Sequence, residues 1–309
     1  MLESFRITFF QTLVLFAFIA IGYIMKKTNK VSAEFNKGIS NLLVYIFLPC
    51  LIIGSMAKNF KLDVLYQKAN LIIIATLLLG SFVLMAFIFS RIFAKSQNTC
   101  DVYMYSFTFP NSGYIGNPLI LAIYGELMLF EYMIFCIPFM ILTYTFGIYI
   151  LNPQRKFNLK NLINPPIISM LAGMAIGAAN IRLPEVAETI IDMSSNCMAP
   201  SAMILTGIVF ASNDLKKMVS NIKVYAACLI KMVLIPIIAV FIISAINIPD
   251  NLAVMIITML TLPTGLNSII FPEAYGGDSH TGAQLCFVST LVCLVILPLT
   301  LALYQFICR

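Results

Sequence analysis

Residues 109–119 (FPNSGYIGNPL) and 262–277 (LPTGLNSIIFPEAYGG) each interrupt a long apolar run with prolines, glycines and asparagines. A helix in hydrocarbon must satisfy its own backbone hydrogen bonds, because lipid offers none. Irregular backbone inside such a run therefore requires surrounding protein or a wet cavity. Two interruptions at corresponding positions of two halves are the best sequence pointer to a binding site within a membrane protein.

Composition fixes the solvent. Of 309 residues, 61% are hydrophobic and 10% charged, against roughly 25% charged in soluble domains. No soluble core hides that much apolar surface, so an all-α integral membrane protein is expected. The net charge of +6 comes from lysines and arginines in short loops, which marks membrane topology rather than a nucleic-acid partner. No cleaved signal peptide is expected: the run from Phe9 to Met25 is too long for a signal core and ends in lysines. The eight cysteines form no CxxC pair and read as small hydrophobes in helices. With His280 the sole histidine, no metal site is expected, and no cofactor. No HExxH or GxSxG motif appears, so catalysis is not expected.

Ten spans follow from runs of about 20 apolar residues: 6–25, 39–57, 70–93, 102–124, 130–150, 165–180, 186–211, 222–246, 252–274 and 281–306. The loops after odd spans hold twelve basic residues, including Lys26, Lys27, Lys30, Lys37, Arg155 and Lys156, and the opposite side holds six. Odd loops are thus expected in the cytoplasm, with both termini outside, in the plasma (inner) membrane. Pro49 and Pro200 stand 151 residues apart, Pro110 and Pro263 153 apart, and AIGYI (20–24) and AIGAA (175–179) 155 apart. Pro138 with Tyr144 matches Pro298 with Tyr304 at 160. Five spans per half is odd, so the second half must enter inverted. The expected organisation is a five-helix repeat over 1–151, a cytoplasmic linker over 152–164 and an inverted five-helix repeat over 165–309.

Pro110 removes a backbone donor and clashes with the preceding turn. Gly113 and Gly116 permit unusual backbone angles. Asn117 before Pro118 reads as an N-cap with proline at the first helical position. In span 9, Pro263 and Gly265 break the helix, Asn267 or Ser268 is expected to cap the restart, and Pro272 to end or kink it. Each restart leaves free N–H groups and a positive dipole end at mid-membrane. Two such ends, joined by amides from Asn111, Asn117 and Asn267, form an anion site without a buried lysine. The expected substrate-binding set is Asn111, Gly113, Tyr114, Asn117, Gly265, Asn267 and Ser268. The alternative for the asparagines is that they only satisfy carbonyls freed by their own broken helices.

Three further residues are candidates for proton or sodium coupling. Lys231, two turns inside span 8, is read first as snorkelling to the cytoplasmic face and second as a coupling site. Asp192 lies two turns into span 7, followed by Ser194, Ser195 and Asn196. Glu273, near the end of span 9, is read first as an interface charge. Glu126, Glu131, Glu185 and Glu188 read as solvated ends.

PNSGYIGNPL resembles the PNTLVMGIPL segment of plant PIN-type auxin carriers. LPTGLNSIIFPEAY resembles their LPQGIVPFVFAKEY, and ISNLLVYIFLP (39–49) their INRFVALFAVP. The chain is therefore identified as resembling the auxin efflux carrier family, as a compact prokaryotic member. The resemblance implies a ten-helix fold like that of bile-acid sodium symporters, with scaffold and transport domains and crossing helices 4 and 9. It implies an organic anion at the crossover, with Asn111 in contact with it. A second substrate asparagine of the plant carriers falls at Pro166 here, in NPPIISM (164–170). Prokaryotic relatives imply a small dicarboxylate such as malate or malonate, with an auxin-like acid the other option.

The expected function is elevator-type secondary transport of a small organic anion. The alternative is a sodium/proton-type cation antiporter of related architecture, which needs carboxylates at the crossover, and neither break contains an acid before Glu273. The expected partners are the anion and the lipid bilayer, with a homodimer admitted and nucleic acid not.

Overall fold

The computed structural model describes residues 2–246 and 248–308. Every regular element among them is helical, apart from one isolated bridge between Pro110 and Thr264. In chain order the principal helices are α1 (Leu2–Lys27), α2 (Glu34–Asn59), α3 (Ala69–Phe93), α4 (Gln97–Thr108), α5 (Ser112–Phe135), α6 (Ile137–Leu151), α7 (Pro165–Ala178), α8 (Glu185–Ser212), α9 (Ile222–Ile246), α10 (Asp250–Thr261), α11 (Asn267–Tyr275) and α12 (Ser279–Cys308). Among the described residues seven of these (α1, α2, α3, α5, α8, α9 and α12) are, by length and composition alone, long and apolar enough to cross a membrane, although α5 is broken at Gly125. The helices α6, α7 and α10 are apolar but shorter.

The helix α3 shows why bilayer must be the solvent. Its inner stripe of Leu71, Ala75, Leu79, Phe82 and Ala86 is buried. Its outer stripe is equally apolar: Ile73, Leu77 and Leu84 stand more than half exposed. In water that outer stripe would carry charge.

Two pairings organise one side of the molecule. The helix α1 packs along the second half of α8, and α2 packs along α7. In the first pair, a Cβ on Gly22 would strike the Ile204 carbonyl, and one on Gly207 the Ile19 carbonyl. Glycine lets these backbones touch, which is how helices associate where lipid removes the hydrophobic drive.

The helices α4–α6 and α10–α12 fold as two hairpins. Gly125, at φ 81°, breaks α5 internally, so the chain reverses there. The reversal is visible at the far ends: Arg155 Nη2, just past α6, donates to Asp101 of α4 at 2.8 and 2.9 Å. The second hairpin closes likewise, with Tyr304 near the end of α12 donating to Asp250 at the start of α10 at 2.7 Å. Phe107 of α4 stacks on Phe89 of α3 at 5.6 Å, and Tyr103 lies beside Phe93 at 5.6 Å. These rings hold α4 against α3.

Pro118 and Pro272, expected to break their helices, do not, and Pro49 and Pro236 also lie within continuous helix. A π turn ends two residues before each of Pro49, Pro118 and Pro236. The wider turn absorbs the lost hydrogen bond and the ring, so the helix continues through Pro118. Pro272 lies inside α11, and its carbonyl accepts Gly276 and Gly277 N–H at 2.8 Å each.

Candidate functional site: the crossing of two broken helices

The two interruptions meet. The α4 helix stops at Thr108, and Phe109 is extended (φ −116°, ψ 97°). The α10 helix stops at Thr261, and Leu262 is extended (φ −64°, ψ 142°). Between the stops and restarts the segments run antiparallel, and Asn111 N–H donates to the Pro263 carbonyl at 2.8 Å. Thr264 N–H is taken by the Ser289 hydroxyl of α12 at 3.0 Å. Gly116 is needed here because a Cβ would meet the Tyr132 hydroxyl. That hydroxyl in turn reaches Met259 Sδ at 3.3 Å.

The first restart is capped by Asn111, not by Asn117. Asn111 Oδ1 accepts from Tyr114 N–H at 3.3 Å, and α5 opens with a π turn over Ser112–Gly116. Asn117 already has helical angles (φ −57°, ψ −52°). Neither Gly113 nor Gly116 uses a positive φ, so Gly116 serves close packing and Gly113 borders open space. At the second restart no side chain caps α11. Turn bonds from Gly265 and Leu266 carbonyls take Ser268 and Ile269 N–H, and among the described residues the Asn267 N–H has no acceptor.

A cavity of about 110 Å³ lies at the crossing. Asn111, Gly113, Tyr114, Asn117, Gly265 and Asn267 all line it, as does Ser112. Ser268 does not: it is fully buried, and its hydroxyl donates to Gly265 O at 2.8 Å and faces Gly282 O. Asn111 and Asn117 are 5% and 6% exposed, and no charged residue lines the cavity. Among the described residues the Asn117 and Asn267 side chains make no hydrogen bond to a freed carbonyl. The Asn267 amide lies beside the Tyr105 hydroxyl.

The rest of the wall was not apparent from sequence. Tyr105, Thr143 and Tyr144 add hydroxyls, and Cys136 and Met140 add sulfur. Leu48 and Ile52 of α2, with Pro166 and Met170 of α7, close the opposite side. Pro49 beside Leu48 and the NPP start of α7 were the available signals. Pro166 thus lines the cavity, and its ring offers no donor.

The coupling candidates lie elsewhere. Asp192 pairs with Lys58 at 2.9 Å, with both side chains at least 40% exposed. They border a separate cavity of about 200 Å³ that also holds Glu126. Glu273 is exposed on α11 and does not line the crossing. Lys231 does not snorkel: it is buried, and its ammonium donates to the Ser106 carbonyl of α4. Glu131 is not a solvated end either. It is buried and accepts from Lys68 at 2.6 Å and from Asn251 at 2.6 Å. Among the described residues no cluster of three histidine, cysteine or acidic side chains stands ready for a metal.

At the end of α11, Asp278 accepts from Thr99 of α4 and from Thr281 of α12. Burial pushes its carboxyl up, but the Thr281 and Thr99 hydrogen bonds outweigh it and hold it below the usual carboxylate range.

The chain is 23% identical over 296 residues to a protein of Rhizobium meliloti (strain 1021) named "Putative malonate transporter", covering 90% of this chain and 89% of that one. The profile of the family described as "Membrane transport protein" matches residues 7–156 and 149–301. With nearly the whole chain matched, and with its apolar helices broken where the sequence motifs fall, this multi-pass membrane protein belongs to that family of transporters, the auxin efflux carriers.

Proposed function

We propose that the chain is a secondary transporter of a small organic anion, a malonate- or malate-like dicarboxylate, working by elevator-type alternating access. The observation that carries this reading is the lining of the crossing cavity. It contains no charged side chain, yet it gathers three asparagine amides and the starts of two half-helices. Helix starts present free N–H groups and partial positive charge, which suits an anion and repels a cation. A cation antiporter would need a carboxylate there, and none lines the cavity. At roughly 10–15 Å³ per water-sized occupant, the volume accommodates a molecule of malonate's size. The name of the Rhizobium meliloti relative points the same way.

The ten-span inverted repeat is part of this reading. Supporting it, α1 packs on α8 as α7 packs on α2, and each pair joins the two halves. Lys68 with Glu131 and Asn221 with Gln284 form two hydrogen-bonded pairs, each spanning 63 residues, whose corresponding members stand 153 residues apart, like Pro110 and Pro263. The basic loops then face the cytoplasm and both termini face out. The cavity lies between the crossing and the α2/α7 wall, so sliding the hairpins against α1, α2, α7 and α8 would carry its contents across. Coupling is to protons or sodium, or absent.

Counterflow in proteoliposomes tests this. Vesicles loaded with malonate should accumulate labelled malonate from outside. Proton or sodium flux without organic anion, together with no malonate exchange, would replace this reading with cation antiport.

A further inference from the structure

Pro110 has no N–H, so the carbonyl four residues back, Ser106 O, loses the donor that a continuing helix would supply. That carbonyl instead accepts from Lys231 Nζ, which arrives from the π turn Ile230–Leu234 of α9. Lys231 is 7% exposed, and among the described residues it has no carboxylate partner. The titratable groups around it are Cys228 on its own helix and Cys286 and Cys293 on α12. Tyr103 of α4 faces Cys228. The α10 helix, packed on the same π turn, has one acid, Asp250, at its first residue and bonded to Tyr304.

A buried cation without a counter-ion is costly. The C-terminal end of α4 offers partial negative charge. The other source within reach is an anion at the crossing. Tyr105, adjacent to Ser106, lines the cavity, and so does Asn111, three residues beyond the helix end at Thr108.

Resting on the anion-carrier reading, we propose that Lys231 is a positioning residue of the anion site: its ammonium replaces the donor Pro110 lacks, fixes the end of α4 at the crossing, and sets a full positive charge behind the bound anion. Position and charge are separable. A neutral amine keeps two N–H groups, so the bond to Ser106 survives deprotonation while the charge does not. Arginine keeps its charge at any accessible pH.

The test is calorimetric binding of malonate and of acetate to purified wild-type protein, Lys231→Met and Lys231→Arg, from neutral to alkaline pH. Lys231→Met should weaken acetate roughly tenfold and malonate by more, as expected for a charge about 10 Å away at an effective dielectric constant near 20. Wild-type affinity should fall at alkaline pH, and Lys231→Arg should not follow it. Equal losses for both anions, or no loss, in Lys231→Met would overturn the proposal. So would an alkaline fall in Lys231→Arg matching the wild type, a comparison that stands even where the methionine variant does not fold. Wild-type protein that binds neither anion would overturn the carrier reading itself, and this proposal with it.

Discussion

The two helix breaks share a backbone plan and differ in chemistry. Both stop in an extended residue, cross antiparallel and restart. The first brings its own polar side chains: Asn111 caps the restart, and Ser112, Tyr114 and Asn117 face the cavity. It also draws Lys231 onto the carbonyl orphaned by Pro110. The second restarts uncapped, turns the Ser268 hydroxyl back on Gly265, and gives the cavity one amide, Asn267. On the proposed inverted-repeat reading, duplication would supply the two helix starts, and selectivity for the proposed anion would come from the first break, which carries the side chains.

That contrast is open to direct attack. Asn111→Ala should produce the largest loss, roughly 100-fold in malonate affinity, because a hydrogen bond to a charged group contributes about 1.5–3 kcal/mol and the cap is lost as well. Purified yield should hold, the lost cap should lower the melting temperature only modestly, and calorimetry reads the affinity. Asn267→Ala should weaken malonate about tenfold. Equal losses from the two variants would erase the asymmetry.

Ser289→Ala sharpens the comparison from the other side. It strands the buried Thr264 N–H, which should cost about 1–3 kcal/mol of stability, read as a lower melting temperature in detergent, with affinity changed only a few-fold. The smallest effect belongs to Asp278. Its folded pKa is depressed, so its contribution is present above the unfolded value and lost as pH falls through the folded one. Asp278→Asn should lower stability by less than about 1 kcal/mol at neutral pH. The gap from wild type should close on acidification below the ordinary carboxylate range.

What sequence made legible was backbone. Pro110, Pro263 and the glycines around them announce irregular chain where hydrocarbon forbids it, and the two segments do touch. Local chemistry was legible less well. Asn117 before Pro118 has the form of a cap, but a π turn upstream makes room for that proline and moves the cap to Asn111. Ser268 follows Asn267, which lines the cavity, yet one helical step turns Ser268 toward α12. Glu131 and Lys231 were misread for a common reason. Their partners, Lys68 and Asn251 for the first and Ser106 for the second, lie 63 to 125 residues away along the chain. On the far wall the resemblance marks Pro166, whereas Leu48, Ile52 and Met170 do not stand out, because apolar residues in spanning helices look alike whether they face lipid or a cavity.

The most direct measurement is an experimental structure with malonate bound. One malonate carboxylate should lie at the crossing, within hydrogen-bond distance of the Asn111 amide and the Asn267 N–H. Malonate bound instead beside Lys58 in the separate cavity, with the crossing unchanged, would contradict it.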